Sequence, residues 1–525
     1  MTRSVRLQLL LLTAVLLAAF VLSGAQTPVQ TQPQKKSAAT MAPDRKAYSD
    51  ANAIKEPDLK IAAMEKFIAE FPESSSVYSA HLAILDTLLK NHPEQRARLL
   101  EQAAKALDKA PEAAKANANN TIANRLSDAG VLMEEAEKYA RRAVDLNQAE
   151  RSKAAFLGTL GKICLKLGKL DEAEAALKDA AAANPQLAAV NLGLAELYDR
   201  RGNSEMALAA YVSAAATSKI PATARERLNA LYAKSTDGSM VGLEEMLDAK
   251  YEEVNPPPFA VEPYQPSGKR SDRVVLAEVF TGSGCPPCVA ADLAADLAME
   301  RYGRGELTML MYHEHIPQPD PMTTSQTPVR FKYYNGTGVP TLAIDGMTTV
   351  GGGGRDAAKR VYDRITREIE EKLEVPAEAT LKITAKRDGN TVRADVSVTR
   401  ITGESPDLRL HIVLAEGKLR YTGENGVRFH PMVVRGIAVD DQGAQGLKIT
   451  SREAPSFTWS FNIDTISADI KKHLDTYEAG GHRGSSFTFT EKKYQIDPGD
   501  LAVTAFVQDE KTKAVLQSVS IRVKP

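Results

Sequence analysis

The sequence has few cysteines, almost no net charge and no long hydrophobic run outside its N-terminus. Only three cysteines occur among 525 residues, Cys164, Cys285 and Cys288. A disulfide-stapled scaffold is therefore excluded, and a chain of this length buries enough apolar surface without one. Lys and Arg number 66 against 67 Asp and Glu, a net charge of -1, which argues against nucleic acid or an anionic membrane as main partner. The length predicts about three domains of roughly 150 residues each.

The N-terminal apolar run predicts export. Arg3 and Arg6 precede an apolar core at 9–22, and Ser23-Gly24-Ala25 forms a small-residue cleavage site, so residues 1–25 have the pattern of a signal peptide. The run is short for a membrane span of ~20 residues, although an uncleaved N-terminal membrane anchor remains an alternative. No cysteine follows it for lipid attachment. We therefore expect a periplasmic or secreted protein, in a compartment where disulfides persist.

Changes in composition divide the rest of the chain. Residues 26–45 are rich in Pro and Gln and predict a flexible linker, and the Pro-rich residues 253–272 predict a semi-rigid spacer. Between them, residues 46–252 are rich in Ala, Leu, Glu and Lys with helical periodicity. Residues 273–375 alternate strand and helix patterns, which predicts a small α/β domain. From 376 to 525 polar and apolar residues alternate in some eight short segments, as in an antiparallel β-sandwich.

The helical region contains an internal repeat. Residues 154–187 align with 188–221, a period of 34 residues, and Gly168 aligns with Gly202. This period resembles that of the tetratricopeptide repeat. The resemblance implies helical hairpins that stack into a superhelix with a concave surface, which could bind a peptide partner. The predicted fold is thus multidomain: an all-α superhelix, an α/β domain and an all-β sandwich.

The candidate site is the sequence Cys285-Pro-Pro-Cys288, which follows a predicted strand and opens a predicted helix. Two cysteines three residues apart at a helix N-terminus can place their sulfurs on one face. The N–H groups and the dipole of the helix favour the thiolate there. Because the protein is predicted to be exported, the pair can open and close as a disulfide.

The strand–Cys-Pro-Pro-Cys–helix unit, with Val339-Pro340-Thr341 some fifty residues later, resembles the thioredoxin superfamily. Some exported bacterial members also carry an immunoglobulin-like sandwich. The resemblance implies that Cys285 attacks a substrate disulfide and that Cys288 resolves the mixed disulfide. It also implies a cis Pro340 facing the dithiol, with the Val339 backbone pairing with the substrate. Glu278 is a candidate proton relay, although it lies one residue further from the cysteine than the family's carboxylate.

Other chemistries are weaker candidates. A c-type haem site needs His after the second cysteine, and Val289 stands there. His313 and His315 could join the cysteine pair around zinc or copper(I), which leaves a metal carrier as an alternative. The sequence otherwise predicts no cofactor and no resident metal.

The interpretation that the sequence favours is an exported thiol–disulfide oxidoreductase acting on protein disulfides. Its partners would be a protein disulfide substrate, a thiol–disulfide electron donor and a peptide bound by the repeats. The alternative is a non-catalytic interaction scaffold whose thioredoxin-like domain is structural.

Overall fold

The computed structural model describes residues 42–349, 351–402 and 405–524. The predicted signal at 1–25 and residues 26–41 of the predicted linker lie outside this part of the chain. The first helix begins at Pro43, inside the predicted linker. In the described part, each helix is either too short or too polar to cross a membrane.

The chain divides into two compact units, Met1–Ala80 and His81–Pro525. In the first unit the structure describes α1 (Pro43–Ala53), α2 (Pro57–Glu70) and the start of α3 (Val77–Asn91). The carboxylate of Glu56 caps α2 by accepting a hydrogen bond from the Leu59 amide at 2.6 Å. The ring of Phe67 in α2 packs on Tyr48 in α1.

In the second unit a run of helices follows α3. Their bounds are α4 (Arg96–Lys109), α5 (Lys115–Ala129), α6 (Met133–Asp145), α7 (Glu150–Lys166), α8 (Leu170–Ala183), α9 (Ala188–Arg200), α10 (Ser204–Thr217), α11 (Ala222–Ser235) and α12 (Leu243–Val254). Helices α8 and α10 end 34 residues apart, at Ala183 and Thr217. The predicted helical repeat is therefore confirmed in this region.

Two kinds of glycine explain why these helices pair. Gly168 and Gly202, which follow α7 and α9, have φ of +75° and +70°, a left-handed conformation that ends a helix at little cost only in glycine. Gly161 in α7 lies against Leu177 in α8, where an added Cβ would come within 2.5 Å of the leucine side chain. Close packing of the two helices therefore requires a residue without a side chain at that position.

An α/β segment follows a stretch without helix or strand after α12. Its elements are β1 (Val275–Thr281), α13 (Val289–Arg301), β2 (Leu307–His313), α14 (Thr327–Tyr333), β3 (Thr341–Ile344), β4 (Met347–Thr349) and α15 (Ala358–Leu373). Strand β1 pairs in parallel with β2 and antiparallel with β3. The alternation of strands and helices agrees with the sequence pattern, whereas the short strand β4 was not predicted.

The C-terminal region differs from the prediction in two ways. Its elements are β5 (Ala379–Asp388), β6 (Thr391–Ile401), β7 (Leu408–Arg420), β8 (Phe429–Ile437), β9 (Leu447–Lys448), β10 (Ser456–Asn462), α16 (Ile463–Gly480), β11 (Leu501–Asp509) and β12 (Val515–Arg522). Helix α16 was not predicted, although Asn462 caps it and Ile463, Ile470 and Leu474 on its buried face have helical spacing. The alternation of polar and apolar residues in this region predicts strands throughout.

The second difference is that the predicted sandwich is not self-contained. Within the described residues, a nine-stranded sheet runs in the order β12-β11-β7-β8-β2-β1-β3-β4, with β9 paired to β7. The connection between its two parts is the parallel contact of Met311 in β2 with Val433 in β8. A separate sheet contains β10, β6 and β5. The predicted boundary at 375/376 therefore does not separate two sheets.

Strand β11 shows why the two regions share one core. Ala502 and Phe506 lie in a cluster with residues of β1, β2 and α13. The alternate residues Val503, Ala505 and Val507 lie in a second cluster with β6. Because successive side chains of a strand point to opposite faces, β11 is covered on both sides, which its unbroken burial confirms.

This shared core can be tested at Gly346, in the turn between β3 and β4. Gly346 has φ of +85°, and an added Cβ would lie 1.7 Å from the carbonyl oxygen of Lys513, in the turn between β11 and β12. Gly389 has φ of +56° with no atom within 4 Å of its added Cβ. Gly389→Ala should therefore cost only the backbone term of about 1 kcal/mol.

Gly346→Ala should cost a further ~1–3 kcal/mol, because one of the two turns must move. Urea unfolding followed by circular dichroism measures both variants. Equal losses of stability would contradict the packing of the β11–β12 turn against the α/β segment.

Candidate functional site

The two cysteines form a closed disulfide at the start of α13. Strand β1 ends at Thr281, and a short turn leads to Cys285, which begins a single 3₁₀ turn, Pro286–Cys288, before the α-helix. The Cα atoms of Cys285 and Cys288 are 5.3 Å apart, and their sulfurs are bonded. Pro286 and Pro287 fit this turn because the N–H groups there have no helical partner.

The structure brings the two other predicted contact residues to this pair. The peptide bond between Val339 and Pro340 is cis. The carbonyl oxygen of Val339 lies 3.7 Å from the Sγ of Cys285. Four of the five predicted site residues thus lie together, and the roles assigned to them remain predictions.

The disulfide is enclosed: Cys285 is 1% exposed and Cys288 0%. One side of the turn is covered by the covering loop, which we define as residues 421–428 between β7 and β8. Asn425 in this loop donates its backbone N–H to the carbonyl of Ser283 at 3.0 Å. On another side, the amide of Gly353 donates to the carbonyl of Pro287 at 2.8 Å. A folded protein with a disulfide cannot reach the Cys285 sulfur in this arrangement.

Glu278 forms a buried ion pair with Arg330. Its two carboxylate oxygens accept hydrogen bonds from Nε and Nη2 of Arg330, each at 2.8 Å, and Tyr334 donates its hydroxyl at 2.6 Å. Burial alone would raise the pKa of Glu278, but Arg330 and Tyr334 outweigh it and the pKa lies below its usual value. Because both carboxylate oxygens of Glu278 already accept hydrogen bonds, a structural role is favoured over the predicted proton relay.

Asp292 is the residue near the cysteines that sequence reasoning missed. It lies in α13 four residues after Cys288, so the two side chains share one helix face, and it is buried. Burial raises the pKa of Asp292 to about 7, although Thr281 and His313 act in the opposite direction. The signal in the sequence is an acid within the otherwise apolar run Val289-Ala-Ala-Asp-Leu-Ala-Ala, which Asp296 follows.

His313 and His315 both belong to the support of the cysteine turn. Asp320 connects them: its Oδ2 lies 3.0 Å from Nδ1 of His313 and accepts the Ser283 amide at 2.7 Å. The Asp320 amide in turn donates to Nδ1 of His315 at 3.0 Å. Burial would raise the pKa of Asp320, but His313 and the backbone donors hold it below its usual value. Burial lowers the pKa of His315 to about 3.

These histidines do not form a metal-binding group with the cysteine pair. In the described part of the chain, one group of at least three His, Cys, Asp or Glu side chains brings its ligand atoms within 4.8 Å of one another: Glu137, Cys164 and Glu172. Glu137 in that group is already paired with Arg141 and Lys169. Cys164 is a buried thiol inside a repeat helix, as expected of a small apolar residue.

Comparison of the chain with protein-family models and with curated proteins returns no match. Solved structures similar to it include PilW, a widely conserved type IV pilus biogenesis factor, at 18% identity over 41% of this chain and 94% of that one, with a TM-score of 0.30. PilF of Pseudomonas aeruginosa is similar at 16% identity, with the same coverages and TM-score. A third is YrrB, described as a tetratricopeptide repeat protein with an unusual peptide-binding site, at 20% identity over 37% of this chain and 93% of that one, with a TM-score of 0.25.

The raised pKa of Asp292 predicts a pH effect on stability. Between about pH 4 and pH 7 the folded state holds a proton that the unfolded state has released, so the free energy of unfolding falls as pH rises. Asp292→Asn removes this group from the titration. The variant should gain stability over the wild type between pH 4.5 and pH 8, by up to about 2–4 kcal/mol.

Denaturant unfolding at several pH values measures this difference. Asp171→Asn, which removes an exposed carboxylate in α8, serves as the control for the loss of one acidic side chain. Parallel profiles for Asp292→Asn and the wild type would show that Asp292 is ionised in the fold.

Proposed function

We propose that the protein is an interaction scaffold that acts after export, in the periplasm or outside the cell. The observation that carries the proposal is a cleft of about 1040 Å³ between the last repeat helices and the β-rich region. Helices α10–α12 line one wall, and β7, the start of β8 and the segment 490–497 line the other. A space of this size accommodates several residues of a polypeptide.

The walls of the cleft are charged with both signs. Lys418 and Glu226 are exposed lining residues on opposite walls. Arg225, Glu244 and Asp248 also line it and are engaged in ion pairs across or along the walls. Such a lining suits a polar peptide segment, since charged side chains of a partner can replace the present pairs without leaving a buried charge unpaired.

Charge reversal inside the cleft tests the scaffold. Glu226→Lys combined with Lys418→Glu should weaken binding of a captured partner by about tenfold or more, because each change reverses a charge that a complementary partner would meet. The partner is captured from a periplasmic extract by crosslinking to the wild type and then titrated as a purified protein. Lys382→Glu, an exposed change on the separate sheet, is the matched control. Loss of binding in the control, or none in the cleft variant, would contradict the proposal.

A second candidate function is thiol–disulfide exchange, favoured by the Val339 carbonyl beside the Cys285 sulfur. In the reduced protein the Cys285 thiolate would attack a protein disulfide, forming a mixed disulfide and releasing one substrate thiolate. The Cys288 thiolate would then attack the Cys285 sulfur, closing the disulfide and releasing the second substrate thiolate. An exported dithiol donor would restore the reduced pair by the reverse exchange.

Insulin reduction with dithiothreitol separates the two functions. An oxidoreductase should accelerate insulin precipitation by about tenfold or more, and Cys285→Ser should return the rate to background. Cys288→Ser should trap the substrate as a mixed disulfide, since the resolving thiol is lost. Background rates in both the wild type and Cys285→Ser would leave the scaffold as the function of the chain.

A further inference from the structure

The covering loop contacts the cysteine turn on one side and the repeat helices on the other. Against the turn, the side-chain amide of Asn425 lies 3.4 Å from both the Gly282 and Cys285 carbonyls, in addition to its backbone bond to Ser283. The fit is close, because a Cβ on Gly423 would lie 2.4 Å from the carbonyl oxygen of Ser283. The loop therefore cannot shift towards the turn, and it opens only by moving away.

The same loop is anchored to the repeats through Arg428. This buried guanidinium donates to Asp248 Oδ1 and to Glu244 Oε2 in α12, each at 2.7 Å, and to the Thr422 hydroxyl within the loop at 2.8 Å. Lys219, which follows α10, pairs with Glu424 at 2.8 Å. Next to the loop, the ring of Phe429 meets Tyr251 edge to face, with centroids 5.4 Å apart.

The strength of the anchor follows from the burial of Arg428. A guanidinium with two carboxylate partners makes charge-assisted hydrogen bonds that exceed ordinary ones. Moving the loop away from α12 would leave Glu244 and Asp248 without this partner. Burial would raise the pKa of Glu244, but Arg428 and Arg225 reverse this and hold it below its usual value. The carboxylate is therefore ionised and available to the arginine at neutral pH.

We infer that Arg428 is a positioning residue that couples the repeat helices to the Cys285–Cys288 pair, by holding the covering loop against the cysteine turn. Release of Arg428 from α12 lets the loop leave the turn and exposes the disulfide to thiols. This coupling is independent of the proposed functions, since it concerns access to the disulfide and applies whether or not the pair turns over a substrate.

The rate of chemical reduction of the disulfide tests the coupling. The full-length protein is treated with tris(2-carboxyethyl)phosphine, quenched with a thiol alkylator, and mapped by mass spectrometry so that Cys164 is counted separately. Asp248→Asn weakens one of the two carboxylate contacts and should speed reduction by about tenfold, the effect of losing a charge-assisted bond. Arg428→Met should speed it further, and Arg428→Lys, which keeps one charge contact, should fall between Arg428→Met and the wild type.

The matched control is Asp199→Asn, which weakens the ion pair between Asp199 and Arg227 inside the repeats. The hydrogen bonds of that pair are 2.8 and 2.9 Å long, similar to those of Arg428. This variant should leave the reduction rate unchanged. Hydrogen exchange adds a second readout: exchange should rise at 282–288 and 421–428 in Asp248→Asn while β11 keeps its protection. A reduction rate in Asp248→Asn equal to that of the wild type would overturn the inference, as would an equal acceleration in Asp199→Asn.

Discussion

The buried ion pair between Glu278 and Arg330 is the interaction on which the arrangement of the second unit depends. Glu278 lies in β1, Arg330 in α14, and Arg330 also donates to Gln508 in β11 at 2.8 Å. Removing two charges from water costs several kcal/mol per ion, so the pair is tolerated only with all its hydrogen bonds made. Tyr334 and Gln508 complete that set. Residues of β1, α14 and β11 therefore contribute to one buried polar network, which connects the α/β segment to the C-terminal region.

This dependence explains which parts of the fold the sequence could predict. The helical period and the 34-residue repeat are local signals, and so is the alternation of strand and helix patterns between residues 273 and 375. The pairing of β2 with β8 is not local, because alternation identifies the two faces of a strand and not its neighbour. Glu278 was likewise predicted as a proton relay and not as half of an ion pair, because its partner Arg330 is 52 residues away. Helix α16 has a local signal in its cap residue Asn462 and in the helical spacing of Ile463, Ile470 and Leu474. The flanking segments alternate polar and apolar residues, and that pattern predicts strands.

The residues of the candidate site also differ in whether a local sequence pattern could predict them. The cysteine pair and Val339-Pro340 could be predicted because each has a short motif. Asp292 could have been found by asking which acid shares a helix face with Cys288. The covering loop could not, because it reaches the turn from a strand about 140 residues later. Asn425-Gly426 predicts a turn, but no local pattern shows that the turn lies against Ser283.

The covering loop also connects the two proposed functions. Arg428, Glu244 and Asp248 anchor the loop and at the same time line the cleft. A partner whose charges replace one of these contacts therefore binds more tightly when the loop is released from α12. By thermodynamic linkage, the same partner increases exposure of the disulfide by the factor that loop release adds to its affinity. The ion pairs of Arg428 with Glu244 and Asp248 both line the cleft and hold the covering loop. Partner binding in the cleft would therefore expose the disulfide, so its enclosure is compatible with thiol exchange.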